Sequence, residues 1–219
     1  MIQNRVSASR PEPAYSTALQ SQGLIRTMRR LLPALFCVAL FGFQAHAHPG
    51  HPGPHGLAEG LAHPLGGLDH IIAMLAVGLW AGQLGGRAIW AMSLTFAGGM
   101  FLGAVLHWIG VVLPLVQAGI WVSGIVLGLL VASAARWPWR ASVALVGCFA
   151  LFHGYAHAAA VVPGSSLFAY GAGLLATTLL FQLTGSGVGW LVRRNDKAIV
   201  LRYAGACLAL TGVCLWLAS

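Results

Sequence analysis

The stretch that decides the fold runs from residue 141 to residue 162 and reads ASVALVGCFALFHGYAHAAAVV. It contains no Asp, Glu, Lys or Arg, and most of its residues are apolar. About twenty such residues form a helix long enough to cross roughly 30 Å of hydrocarbon. The stretch therefore predicts a transmembrane helix, and it carries two histidines, His153 and His157, four residues apart.

Similar apolar stretches recur along the chain, and charge is sparse throughout. Only 7% of the 219 residues are charged, with 4 acidic residues against 12 Lys and Arg, whereas a soluble domain carries roughly 25%. The sequence predicts an all-α membrane protein, a six-transmembrane-helix bundle. The cations are dispersed in short gaps and do not form a basic face, so we expect no nucleic-acid partner. The six predicted spans are 66–84, 88–109, 115–134, 141–162, 166–190 and 198–217.

Basic residues in the gaps between spans predict the orientation. They all fall in alternate gaps: Arg87 in the first, Arg136 and Arg140 in the third, and Arg193, Arg194 and Lys197 in the fifth. The gaps at 110–114 and 162–166 have none. Because basic loops stay in the cytoplasm, both mature termini are expected to be periplasmic, in a multi-pass protein of the bacterial inner (cytoplasmic) membrane.

The N-terminal region has the pattern of a cleaved signal peptide. Within an extension covering residues 1–47, residues 28–47 contain Met28-Arg29-Arg30, an apolar run and the A-x-A site Ala45-His46-Ala47. Cleavage there leaves a His/Pro/Gly-rich periplasmic segment, residues 48–64, before the transmembrane domain at 65–219. Imidazoles in an open segment collect divalent transition metals, so His48 and His51 are candidate metal ligands.

Ionisable groups inside predicted spans are functional candidates, because lipid makes them costly. Asp69 and His70 begin the first span, His107 is near the end of the second, and His153 and His157 are in the fourth. The predicted orientation places all five in the outer half of the membrane. Residues four apart share one helical face, so His153 and His157 can bind one ion, with Asp69 ionised beside it. His63 approaches from the periplasmic side, and Gln117 and Gln182 are candidates to line the same cavity.

Two motifs, HPLGGLDH at residues 63–70 and FHGYAH at residues 152–157, resemble those of the HupE/UreJ family. HPLGGLDH matches the family's H-x5-D-H motif, and FHGYAH matches the first part of F-H-G-x-A-H-G-x-E. The resemblance implies a secondary permease for nickel, in some members cobalt, with a functional link to nickel enzyme maturation in hydrogenase or urease systems. It carries a metal-handling role over to His63, Asp69, His70, His153 and His157. The G-x-E of the second motif is replaced by Ala158-Ala159-Ala160, so one acidic ligand is missing.

The resulting functional prediction is uptake of a divalent transition metal ion, nickel or cobalt, with zinc as another candidate. No tightly bound cofactor is expected, and the chain is predicted not to be an enzyme. The main alternative is an intramembrane zinc hydrolase of the ceramidase type, in which three histidines hold zinc and Asp69 is the base. A serine protease is less favoured: TGSGVG around Ser186 resembles its GxSG motif, but the last span has no histidine.

Overall fold

The computed structural model describes residues 56–195 and 197–219. Within these residues every regular element is helical. The predicted signal peptide, His48 and His51 lie outside the described residues, as do residues 48–55 of the segment 48–64. The helices are α1 (Leu57–Ala62), a 3-10 turn (His63–Gly66), α2 (Leu68–Leu84), α3 (Arg87–Trp108), α4 (Val116–Ala132), α5 (Trp139–Ala159), α6 (Leu167–Arg194) and α7 (Ala198–Leu217).

Helix boundaries follow local chemistry. Gly85 and Gly86 have φ of 71° and 56°, a left-handed conformation that suits glycine, and they form the tight turn between α2 and α3. Pro138 precedes α5, and Ser166 caps α6 by accepting a hydrogen bond from the backbone N–H of Ala169 at 3.4 Å. α6 extends to Arg194, beyond the predicted end at 190, and places basic side chains in its last turn, where they interact favourably with the helix dipole.

Four helices, α3, α5, α6 and α7, are long and apolar enough to cross a membrane. The unit Leu57–Gly66 with Leu68–Leu84 meets the same criterion as a single span, although it bends by 90°. α4 is apolar but only 17 residues long. The prediction of an all-helical membrane protein is confirmed, with four or five candidate spans by length and composition in the described part of the chain.

The bundle has apolar side chains on the outside and polar ones within. Trp90, Leu94, Phe101 and Phe168 are among the large apolar side chains that are exposed. Histidine, serine, threonine and glutamine side chains are buried instead. This distribution fits a protein surrounded by lipid, because lipid solvates apolar groups and leaves polar groups to find partners inside.

Glycines allow the paired helices to approach closely, as small residues do in membrane bundles. α3 packs on α5, α2 on α6 and α4 on α7. On α3, a Cβ added at Gly99 would meet the backbone of Gly147, and one added at Gly103 would meet the backbone of Leu151. Later residues of α3 thus meet later residues of α5, so these two helices run parallel.

Candidate metal site

Four histidines and one aspartate from three separate segments gather at one end of the bundle. His63 lies in the 3-10 turn, Asp69 and His70 in the first turn of α2, and His153 and His157 near the end of α5. The ring of His70 is 4.4 Å from that of His157 and 5.1 Å from that of His153, between centroids. His63 and His157 are 5.0 Å apart. Residues of both sequence motifs thus lie together. We call these five residues the histidine cluster.

Asp69 holds the ring of His70 in a defined orientation. His70 Nδ1 lies 2.7 Å from Asp69 Oδ1, and the backbone N–H of His70 donates to the same oxygen at 2.9 Å. Gln117 donates its Nε2 hydrogen to Asp69 Oδ2 at 3.0 Å. An ionised carboxylate only accepts, so Nδ1 of His70 carries the hydrogen and its Nε2 keeps the lone pair that binds metals. Carboxylates often orient metal-binding histidines in this way.

Glycine at position 67 leaves room for this pair. A Cβ at Gly67 would lie 2.6 Å from Asp69 Oδ1 and 3.0 Å from His70 Nδ1. The first distance is shorter than real Cβ contacts and the second is tight, so a side chain here would shift the carboxylate or the ring. Glycine at this position therefore leaves the observed arrangement of Asp69 and His70 undisturbed.

His153 is buried and is oriented by a serine of α4. The hydroxyl of Ser123 donates its one hydrogen to the backbone oxygen of Ile120 at 2.6 Å. The same oxygen is 2.9 Å from His153 Nε2, and it must accept there because its hydrogen is used. His153 Nε2 therefore carries the hydrogen, and its Nδ1 keeps the lone pair. Phe96 packs against the ring, with centroids 5.6 Å apart.

His157 has an unpaired donor or acceptor in the cluster. Its side chain is buried, and its Nδ1 has no hydrogen-bond partner among the described residues. The Tyr170 hydroxyl donates to the backbone oxygen of His157 at 3.4 Å, and the Tyr170 ring lies 5.8 Å from that of His63. A buried ring nitrogen without a partner is costly, and binding an ion would remove that cost.

The cluster is not a finished metal centre in this conformation. Across residues 56–195 and 197–219, no three His, Cys, Asp or Glu side chains are placed to hold one ion together. Asp69 and His70 instead bind each other, and His153 binds Ser123. At least some of these rings would have to rotate before three of their nitrogens could bind one ion.

The other candidate residues lie outside the cluster. The ring of His107 packs against Tyr155, 4.9 Å between centroids, and its Nδ1 has no partner within the described part of the chain. Gln182 is buried further along α6, whereas Gln117 contacts Asp69 directly. Sequence reasoning did not identify Ser123, Phe96 or Tyr170, because single residues of these types in apolar stretches carry no signal.

Comparison with known proteins assigns the family. A family model described as "HupE / UreJ protein" matches residues 35–215. The chain is also 42% identical over 171 residues to Protein HupE of Rhizobium leguminosarum bv. viciae, covering 78% of this chain and 89% of the relative. The chain belongs to the HupE/UreJ family. No solved structure matches it.

Membership of the HupE/UreJ family confirms the resemblance carried by HPLGGLDH and FHGYAH. This family comprises permease and accessory proteins, so the prediction that the chain is not an enzyme is confirmed, and the hydrolase and protease alternatives are set aside. Membership also supports a role in metal transport.

Proposed function

We propose that the chain takes up a divalent transition metal ion, nickel or alternatively cobalt, from the periplasm through the histidine cluster. The observation that carries this proposal is the cluster itself: four imidazoles and a carboxylate meet inside an apolar bundle, and His157 Nδ1 is buried without a partner in the described residues. Imidazole suits nickel, cobalt and zinc. Ionisable groups at such a place are energetically costly, and their presence therefore indicates a function.

Six crossings are part of the proposal, and helix directions support them. α3 and α5 run parallel, as the second and fourth crossings of an alternating bundle must. If the short α4 turned back without crossing, α5 would run antiparallel to α3. α4 and α7 run antiparallel, since Gly128 meets Ala209 and Gly212 meets Ile125, as expected for the third and sixth crossings. With the basic gaps inside, both mature termini are periplasmic and the histidine cluster faces the periplasm.

The N-terminal segment supplies the ion in this proposal. Residues 28–47 direct export across the inner membrane and are removed, which leaves residues 48–64 in the periplasm. His48 and His51 collect the ion, and His107, near the outer end of α3, lies on its approach. Collecting the ion next to the cluster raises its effective concentration there. The ion is cargo for nickel enzyme maturation and is not held as a cofactor.

Binding in the cluster uses the nitrogens that carry lone pairs. His70 Nε2 and His153 Nδ1 follow from the hydrogen bonds to Asp69 and Ser123, and His157 Nδ1 is unpaired in the described residues. Asp69 orients His70 and offsets the charge of the ion. Ala158-Ala159-Ala160 provides no carboxylate after His157, so the ion is held by neutral nitrogens and released more easily than from a site with two carboxylates.

Uptake of radiolabelled nickel and cobalt by expressing cells tests the proposal. The wild type should accumulate label, and Asp69→Asn and His157→Ala should each lower the initial rate about tenfold or more, since second-shell and ligand changes cost 10- to 100-fold in metal affinity. His107→Ala is the matched control outside the cluster and should lower the rate less. Wild-type rates in both cluster variants, at equal protein levels, would contradict the site.

A further inference from the structure

α6 carries a polar stripe that continues inward from the histidine cluster. Thr178, Gln182 and Ser186 are spaced four residues apart and so lie on one helical face. Their exposed fractions are 1%, 0% and 2%. No hydrogen bond among the described residues joins these three side chains to the histidine cluster, because they lie further inward than His157 and Tyr170.

Ser93 of α3 is buried as well, and the helix directions give its depth relative to this stripe. α2 and α6 run parallel, since a Cβ at Gly78 would meet the backbone of Gln182 and one at Gly82 that of Ser186. α3 reverses direction after α2 and is therefore antiparallel to α6. The Thr178 hydroxyl contacts Met100 Sδ at 4.0 Å, which sets the relative depth of α3 and α6.

From that contact, Ser93 lies about 10 Å further inward along α3 and Ser186 about 12 Å inward along α6. Both serines are therefore at nearly the same depth. Ser93 shares its face of α3 with Phe96, which contacts His153, and with Met100. That face points into the bundle, and we call Thr178, Gln182, Ser186 and Ser93 the polar column.

Apart from the Thr178 hydroxyl, which contacts Met100 Sδ, the side-chain polar atoms of this column have no partner in the described residues. Both amide atoms of Gln182 and the hydroxyls of Ser93 and Ser186 have no hydrogen-bond partner among the described residues. Other buried hydroxyls are paired: Ser142 donates to the Pro138 oxygen at 3.3 Å, Thr211 to the Cys207 oxygen at 2.9 Å and Thr177 to the Leu61 oxygen at 2.9 Å. Each unpaired group costs about 1–3 kcal/mol, so residues that only glue helices together would not be left in this state.

A cavity also reaches the histidine cluster, but its lining does not suit a metal ion. A cavity of about 570 Å³ between α3, α5 and α6 includes His157 in its wall, and its lining is otherwise mostly apolar, with residues such as Phe101, Phe168 and Leu175. A divalent ion that loses water there would gain no oxygen or nitrogen in exchange. The polar column, in contrast, offers the Thr178 hydroxyl, then the Gln182 amide, and then the Ser93 and Ser186 hydroxyls at a common depth.

We propose that the polar column is the inner half of the ion route, along which a partly hydrated divalent metal ion passes from the histidine cluster toward the cytoplasm. This inference rests on the proposed transport function. The Gln182 amide oxygen receives the ion from the imidazoles, and the Ser93 and Ser186 hydroxyls follow. Neutral oxygens bind nickel and cobalt less well than imidazole does. The column therefore passes the ion on and does not store it, as conduction through a membrane requires.

Separate measurements of binding and transport on the purified full chain test this route. Gln182→Leu should leave equilibrium nickel binding within about twofold of wild type, because the cluster is intact, and lower nickel entry into proteoliposomes on the order of tenfold. Thr211→Val, a buried polar residue of α7 outside the column, is the control and should transport normally. Wild-type entry by Gln182→Leu would overturn the route, and so would an equal loss of binding and entry.

If the wild type transports no nickel, the proposed function is contradicted. Thiol labelling then still tests the polar column on its own. Ser186→Cys should react with a charged, water-soluble thiol reagent above the background of the native cysteines, because the column admits water. Leu183→Cys, which is 40% exposed on the outside of the same helix, faces lipid and should stay unreactive, since a thiol there is not ionised. An unreactive Ser186→Cys would mean a dry, closed column and would overturn the inference.

Discussion

Replacing Asp69 with Asn isolates the contribution of one negative charge to metal binding. The asparagine oxygen still accepts from His70 Nδ1, and the Gln117 amide can turn so that its oxygen meets the new NH₂ group. The hydrogen bonds at 2.7 Å and 3.0 Å thus have replacements, and the shape is kept. What is lost is the charge behind the His70 ring.

The magnitude follows from the geometry. An ion bound to His70 Nε2 lies about 7 Å from Asp69 Oδ1, across the ring and the 2.7 Å hydrogen bond. Attraction between a carboxylate and a divalent ion at that distance is about 5 kcal/mol at an effective dielectric constant of 20. This is an upper bound, since second-shell changes at metal sites cost 10- to 100-fold, or about 1.4–2.7 kcal/mol. We therefore expect Asp69→Asn to lower nickel affinity by about 10- to 100-fold.

Equilibrium nickel binding to purified protein in detergent measures the change, and thermal unfolding without metal checks that the fold is kept. Gln117→Leu is the companion variant, because it removes one hydrogen bond to Asp69 and keeps the charge. It should weaken nickel binding less than Asp69→Asn does. An Asp69→Asn protein with wild-type affinity would refute the reasoning that the carboxylate acts on the ion through His70.

Three further substitutions have distinct expected effects. Ser123→Ala leaves His153 Nε2 without its acceptor, and thermal unfolding should show a loss of about 1–3 kcal/mol; an unchanged midpoint would mean that the bond is not formed. Gly154→Val places a side chain against the Met100 backbone, which should lower the free energy of unfolding by about 1–3 kcal/mol or more. Gly171→Ala, with open space at its Cβ, is the control and should unfold like wild type. Gly67→Ala crowds Asp69 and His70, so nickel affinity should fall more than stability, and the reverse order would argue against the steric account.

Sequence periodicity and charge were enough to predict the long helices α2 to α7 and the shared depth of the two motifs, whereas α1 lies in the segment 48–64 that was expected to be open. The predicted spans agree with α2 to α7 within a few residues, apart from the ends of α5 and α6. The apolar stretches and the basic gaps act locally along the chain, which is why they can be interpreted without coordinates. The pairing of His70 with His153 and His157 followed from their shared depth.

Features that depend on contacts across the bundle were not predictable. The 90° bend before α2 depends on how α1 packs against α6. Ser123 is thirty residues from His153 in sequence, and an isolated serine in an apolar helix usually bonds its own backbone. His107 shares the predicted depth of the cluster but contacts Tyr155, because depth alone does not define which way a helix face points.

Nickel entry into proteoliposomes that contain only the purified chain tests the central claim most directly. Wild-type protein should admit nickel to an internal dye faster than protein-free liposomes do. A His153→Ala/His157→Ala double variant, reconstituted in equal amount, should fall to the protein-free rate, because it lacks two of the three proposed ligand nitrogens. Equal entry through wild type and the double variant, or no entry through wild type, would contradict the account.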